Sequence, residues 1–272
     1  MKSWGWGVAA ALMLTACFPR QSLVLPRGVL QQAVVEEHAS YERRGRDIQV
    51  DVYRPALDHR HETVLLLHGS SGIHDLGPQQ VTRFGRTLAS LGLTALVVHY
   101  FDGTGHFTAS AEDEHAYYWE WVQDIRAGIS WADSLPYANP RRISLLGISL
   151  GAWLSVGVAS TDARVHGVVL IGSGLEPSAR DSLRHMPPAL LLHGHDDDVV
   201  PLANADTLAA ALHRARRQVQ LHVYPGQEHT LDDSASTDAL LRAVRFLRRA
   251  HPASAAAAPP TSRVRSQRAD RS

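Results

Sequence analysis

From Val64 onward, short runs of β-branched residues and leucine alternate with longer stretches whose apolar positions recur at helical spacing. The runs predict strands at Thr63–Leu67, Leu93–Tyr100, Arg142–Ile148, Val165–Ile171, Ala189–His193 and Val219–Tyr224. Between them, helices are predicted over Gln79–Leu91, Tyr117–Leu135, Leu150–Ser160, Leu202–Arg214 and Ala235–Arg249. Strands that are apolar almost throughout, each followed by a helix, imply an α/β fold: a mostly parallel central sheet with helices on both faces. One earlier run, Asp47–Arg54, alternates Ile48, Val50 and Val52 with polar neighbours. It reads as an antiparallel edge strand with one wet face.

The two ends of the chain lack this pattern. Lys2 precedes an uncharged stretch, Trp4–Ala16, too short to cross about 30 Å of hydrocarbon at about 1.5 Å per residue but of the right length for a signal-peptide core. Leu14-Thr15-Ala16-Cys17 resembles the lipobox of bacterial lipoproteins, which implies that Cys17 is acylated and becomes the first mature residue. Phe18, where an aspartate would retain such a protein at the inner membrane, implies an outer-membrane protein facing the periplasm and held in the bilayer by its lipid. Residues 252–272 are Ala, Pro, Ser and Arg without apolar periodicity and bury too little to offset the entropy of ordering. The expected organisation is a signal over 1–17, a linker over 18–40, one domain over 41–250 and a flexible tail over 251–272.

Composition narrows the chemistry. The 272 residues suffice for one large α/β domain, and 27 basic residues cancel 27 acidic ones, so no global field draws the chain to nucleic acid. Lys2 is the only lysine, leaving the mature chain no amine for a Schiff base or a phosphate-gripping loop. A single cysteine excludes an internal disulfide, a cysteine-based zinc site and an iron–sulfur cluster. His68-Gly69 and His193-Gly194 both end hydrophobic strands, but two matching dipeptides are not a repeat.

The most informative segment is Arg142-Ile143-Ser144-Leu145-Leu146-Gly147-Ile148-Ser149-Leu150-Gly151-Ala152, a strand running through Gly-x-Ser-x-Gly into a helix. In such an elbow the glycines admit a sharp turn, and the serine stands at a helix N-terminus that favours a developing anion. A serine hydroxyl needs a base, and the base needs an orienting carboxylate. Acids follow at the end of the Ala189–His193 strand, in Gly194-His195-Asp196-Asp197-Asp198-Val199-Val200-Pro201, where parallel sheets keep their ligand sites. A turn after the next strand, Tyr224-Pro225-Gly226-Gln227-Glu228-His229, ends in a histidine. Sixteen histidines are present, but only His213, His222, His229 and His251 follow the acids; they fall in a helix, a strand, the turn and the tail. A metal held by His195 and the three aspartates is disfavoured, because consecutive side chains diverge and no His-x-x-x-His partner exists.

These features together resemble an α/β-hydrolase of the dienelactone hydrolase-like group, over most of Asp47–Arg249. Its His-Gly-x-x-Asp-x-x-Val-Pro pattern corresponds to His193–Pro201 and points to Asp197 as the acid, with Asp196 and Asp198 as alternatives. Its Tyr-x-Gly-x-x-His corresponds to Tyr224–His229 and points to His229 as general base. The resemblance implies an oxyanion hole from the Leu150 amide and the Ser70 amide in His68-Gly69-Ser70-Ser71-Gly72, with Ser71 as the fallback. It implies a Ser149–His229–Asp197 hydrolase of a small-molecule carboxylic ester that works through an acyl-enzyme, with neither cofactor nor metal.

The chain departs from dienelactone hydrolases proper, which carry cysteine at the elbow and a paired glycine where this chain has Gly151-Ala152. A lactonase and a serine peptidase are therefore the alternative activities, and a non-catalytic lipoprotein that binds envelope components is the alternative class. The stretch between Ile171 and Ala189 is too short for a large cap, so the site should be open. Phe107, Tyr117, Tyr118 and Trp119 either line its wall or pack a helix onto the sheet.

Overall fold

The computed structural model describes residues 23–56, 61–73 and 78–250. The expected signal with Cys17 and the expected tail lie outside the described residues. Eight strands form one sheet: β1 (Val34–Arg43), β2 (Arg46–Pro55), β3 (His61–Leu67), β4 (Thr94–Val98), β5 (Ala138–Ile148), β6 (Val165–Ile171), β7 (Ala189–Gly194) and β8 (Val219–Tyr224). The helices are α1 (Pro78–Ser90), α2 (Ala111–Ala132), α3 (Leu150–Ala159), α4 (Leu202–Arg214) and α5 (Asp233–Ala250), with short 3-10 turns at Tyr100–Gly103 and Pro177–His185. The strand order is β1-β2-β4-β3-β5-β6-β7-β8, antiparallel across β1, β2 and β4 and parallel thereafter.

Every residue of β4 and β7 is buried, because each strand has helices on both faces and no wet side to pattern. On one face Tyr100, Trp121, Ile125 and Leu154 pack with Leu65, Leu145 and Leu191 beneath α2, α3 and α4. On the other, Phe84, Leu88, Leu240 and Leu247 of α1 and α5 close over Val64, Leu66 and Val169.

Two expectations are corrected at the N-terminal side. Asp47–Arg54 does form a strand, but β2 is not the edge: β1 pairs along its whole length, from Val34↔Pro55 to Arg43↔Arg46. β1 therefore occupies part of the segment expected as a linker, and Leu23, also within it, is buried against α1 with its N–H donating to the Thr87 hydroxyl. The hairpin turns on Arg44 (φ 54°) and Gly45 (φ 74°), a two-residue loop with both central residues left-handed, which matches the twist of the strands it joins. It is pinned to α2 by an Arg43–Asp124 ion pair and by the Tyr41 hydroxyl, which donates to the Asp124 carbonyl at 2.7 Å. Burial pushes the Asp124 carboxyl up to about 6 even with Arg43 opposing.

Helix α2 begins six residues before its expected start. Ser110 caps it reciprocally with Asp113, and the acidic first turn Glu112, Asp113 and Glu114 suits the positive end of the helix. Among the described residues no helix is long and apolar enough to cross a membrane.

Strand register decides where chemistry can occur. Leu67 pairs with Gly147, Ile148 with Ile171, Ile171 with Leu192 and Gly194 with Tyr224, so the carboxyl ends of β3, β5, β6, β7 and β8 finish along one rim.

Candidate active site

Ser149 links β5 to α3 at φ 52° and ψ −122°, a conformation that a side chain makes costly. The surroundings leave it little choice. A Cβ on Gly147 would lie 2.2 Å from the Gly151 carbonyl oxygen, and one on Gly151 would lie 2.4 Å from that of Leu67, so strand, helix and the end of β3 meet at contacts only glycine admits. The Ser149 N–H donates to the Ile171 carbonyl at 2.8 Å, and the Ser149 carbonyl accepts from Ala152 and Trp153 in the first turn of α3. Main chain thus fixes the residue on both sides while the hydroxyl stands clear.

That hydroxyl lies 3.0 Å from His229 Nε2, and His229 Nδ1 lies 2.8 Å from Asp197 Oδ2. The carboxylate can only accept, so Nδ1 carries the proton and Nε2 accepts from the Ser149 hydroxyl. Asp197 Oδ1 accepts from the Val199 and Val200 N–H groups at 3.0 and 2.7 Å, which folds the loop around its own acid. Two backbone bonds, Asp196 N–H to Gln227 O and His195 N–H to Tyr224 O, at 2.9 Å each, zip this loop to the turn that carries His229. The Asp197 side chain is buried, whereas Asp196 and Asp198 are exposed. Asp196 pairs with the His195 ring at 2.5 Å, so the three consecutive acids diverge, and among the described residues no group of three or more histidine, cysteine or acidic side chains is arranged to hold a metal ion. His213 lies in α4 and His222 in β8, away from Ser149, and His251 lies outside the described residues.

A nucleophile elbow, an acid after β7 and a histidine after β8 on a mostly parallel sheet are the order and placement found in α/β-hydrolases. The family model of the dienelactone hydrolase family matches residues 48–256, more than half of the chain. The chain belongs to the dienelactone hydrolase family. An uncharacterized protein of Mycobacterium tuberculosis is 28% identical to it over 204 residues, which cover 66% of this chain and 68% of that protein. Among solved structures, a dienelactone hydrolase-like promiscuous phosphotriesterase from metagenomic libraries superposes with a TM-score of 0.69 at 16% identity, covering 80% of this chain and 98% of its own. A cold-adapted esterase from an Arctic intertidal metagenomic library gives 0.64 at 19% identity, covering 89% and 99%. At such identities the likeness is one of fold. This dienelactone hydrolase family member shares the α/β-hydrolase fold of these neighbours and shows no separate cap among its described residues.

The loop after β3 runs close to Ser149. Gly69 approaches Ser149 so closely that a Cβ there would stand 3.3 Å from the Ser149 Cβ. Leu150 opens α3, so its N–H has no carbonyl within the helix to donate to, and Ser70 follows Gly69. Several contacts hold this loop from one side. The Tyr100 hydroxyl donates to the His68 carbonyl at 2.8 Å, and its ring stacks on the His68 imidazole at 4.1 Å. The Ala109 N–H donates to the Ser70 carbonyl at 2.8 Å, and the Glu114 carboxyl is hydrogen-bonded to the Ser70 side chain while burial raises its pKa.

Tyr100 and Glu114 escape a sequence reading. Tyr100 falls in an expected strand and Glu114 ahead of an expected helix; the capping pair Ser110 and Asp113 is the one local signal that would have put Glu114 on a helix's first turn. Of the four aromatics, two take the packing fate. Tyr118 is buried, its hydroxyl donating to the Trp153 carbonyl at 2.9 Å, and Tyr117 packs with His106 and Trp121. Phe107 and Trp119 remain exposed, at 74% and 40%.

Proposed function

We propose that this dienelactone hydrolase family member is a serine hydrolase that cleaves carboxylic esters through an acyl-enzyme. The observation that carries the proposal is the continuous relay from the Ser149 hydroxyl to His229 Nε2 at 3.0 Å and from His229 Nδ1 to Asp197 at 2.8 Å. Ser149 Oγ attacks the ester carbonyl as His229 takes its proton, and negative charge gathers on the former carbonyl oxygen. In this reading the Leu150 and Ser70 amides donate to that oxygen, each such donor being worth about 10²- to 10³-fold in rate. His229 then returns the proton to the departing alkoxide, leaving the acyl group on Ser149. Water repeats the cycle in the second half, and Asp197 holds the imidazole in the required tautomer throughout.

Fluorophosphonate labelling and p-nitrophenyl ester hydrolysis test the reading. Ser149→Ala is expected to abolish labelling and to lower kcat by at least about 10⁴-fold with the fold intact, and persistent labelling of that variant overturns the proposal. A panel of acyl-chain lengths, lactones, peptides and acetylated sugars then assigns the substrate.

The second proposed element is the anchor. Leu14-Thr15-Ala16-Cys17 supports lipid attachment at Cys17 and a place in the bacterial envelope, with the domain held at a bilayer surface facing the periplasm. Mass spectrometry of the mature protein is expected to find an acylated Cys17 as its first residue; a mature chain without acyl groups overturns this element.

A further inference from the structure

The catalytic carboxylate of the proposed relay faces two imidazoles. His229 Nδ1 lies 2.8 Å from Asp197 Oδ2, and on the same oxygen His193 Nε2 lies 3.3 Å away. His193 is in β7, a strand paired on both sides, and its side chain is fully buried. Its Nε2 also lies 2.7 Å from the Val200 carbonyl oxygen. A carbonyl only accepts, so the His193 proton sits on Nε2 and is donated to the far end of the acid loop, while the carboxylate at its near end lies 3.3 Å from the same nitrogen. The other ring nitrogen, Nδ1, is buried without a hydrogen-bond partner, so the ring works through Nε2 alone.

Without His193 the Asp197 carboxylate would be held by Val199 and Val200 N–H groups on Oδ1, both of its own loop, and on Oδ2 by the very His229 it must position. A loop that holds only itself can shift as a unit. His193 ties the Val200 carbonyl to the sheet, the least mobile support at hand, and sets its Nε2 against the carboxylate. Substrate does not reach this ring, which stands behind the carboxylate with no exposed surface.

We infer that His193 is a positioning residue, whose buried imidazole fixes the Asp197 carboxylate and its loop so that His229 stays aligned on Ser149. The inference rests on the relay reading above. The signature of positioning is a loss in kcat that passes through Asp197 and leaves KM alone.

The experiment compares His193→Leu, His193→Gln and His193→Asn in ester hydrolysis. Glutamine can place an N–H near the position of Nε2, whereas asparagine is too short to reach it. His193→Leu and His193→Asn are expected to lower kcat about 10- to 100-fold with KM within about twofold, the scale set by losing one hydrogen bond and leaving the Val200 carbonyl unpaired, and His193→Gln to recover most of the rate. In an Asp197→Ala background, His193→Asn is expected to cost less than about twofold more, because its effect has already been spent. Equal kcat for the Asn and Gln variants overturns the inference, as does a loss in His193→Asn that persists undiminished in the Asp197→Ala background. Because glutamine and asparagine are both polar, the comparison survives if the leucine variant fails to fold. If Ser149→Ala retains turnover, the relay reading itself fails; if Ser149→Ala is dead and His193→Asn is unimpaired, only the role of His193 fails.

Discussion

The elbow at Ser149 and the loop after β3 meet where Gly69 approaches Ser149, yet they are held there by different physics. The elbow is set by exclusion: Gly147, Gly151 and the carbonyls around them leave one path for the chain, and every residue involved except those of β3 lies within one short segment. The loop after β3 is set by tethers reaching in from elsewhere. Tyr100 is 32 residues from His68, and Ala109 and Glu114 lie farther along the chain still. A steric wall fails abruptly when its space is filled. A hydrogen-bonded tether fails by degrees when one bond is lost.

The largest effect should come from breaking the wall. Gly147→Ala or Gly151→Ala places a Cβ within 2.2–2.4 Å of a backbone oxygen, which no side-chain movement relieves. Either change is expected to lower ester turnover by at least about 10³-fold and stability by about 2–3 kcal/mol, measured by initial rates and urea denaturation. A variant retaining more than a tenth of the wild-type rate would show that the elbow tolerates a different path. Cutting the tether should do less. Tyr100→Phe removes the hydroxyl that holds the His68 carbonyl, and kcat is expected to fall about 10-fold at unchanged KM, with about 1 kcal/mol lost in denaturation. A loss as large as that of the glycine variants would erase the distinction between the two sides.

The smallest effect on rate, and a control for both, lies at the opposite end of β3. Burial raises the Glu62 carboxyl from 4.5 to about 7, against the pull of Arg142 and Arg248. Its folded value is the higher one, so its contribution to stability is fully present below about pH 4.5 and is lost as pH rises through about 7. Glu62→Gln should therefore gain on the wild type as pH rises from 5 to 8, by up to about 3 kcal/mol, with kcat unchanged at either pH. Thermal melts across that range check the sign; a gap that narrows with rising pH contradicts it.

The same contrast explains what could be read in advance. The parallel strands were legible because burial on two faces leaves β4 and β7 apolar throughout, and the elbow because its steric demands fall on neighbouring residues. Acids after β7 and a histidine after β8 were legible because strand order carries both to the rim that bears Ser149, and the family resemblance, not the order, singled out Asp197 among its neighbours. β1 was not, since its Glu36, Glu37, His38 and Ser40 belong to an edge with much of its surface in water and look like linker composition. Tyr100 and Glu114 were not legible as parts of the site either. Each reaches the loop after β3 through a side chain that meets its partner only after the sheet has assembled, and no spacing along the chain records that meeting. His193 stands in the same motif as Asp197, but the motif does not say which way its ring donates.

The backbone at Ser149, with its φ of 52°, would rest more easily as glycine. Durability and reactivity pull in opposite directions at this one residue, and a lineage that ceased to need the hydroxyl would be free to settle into a sturdier, inert shell.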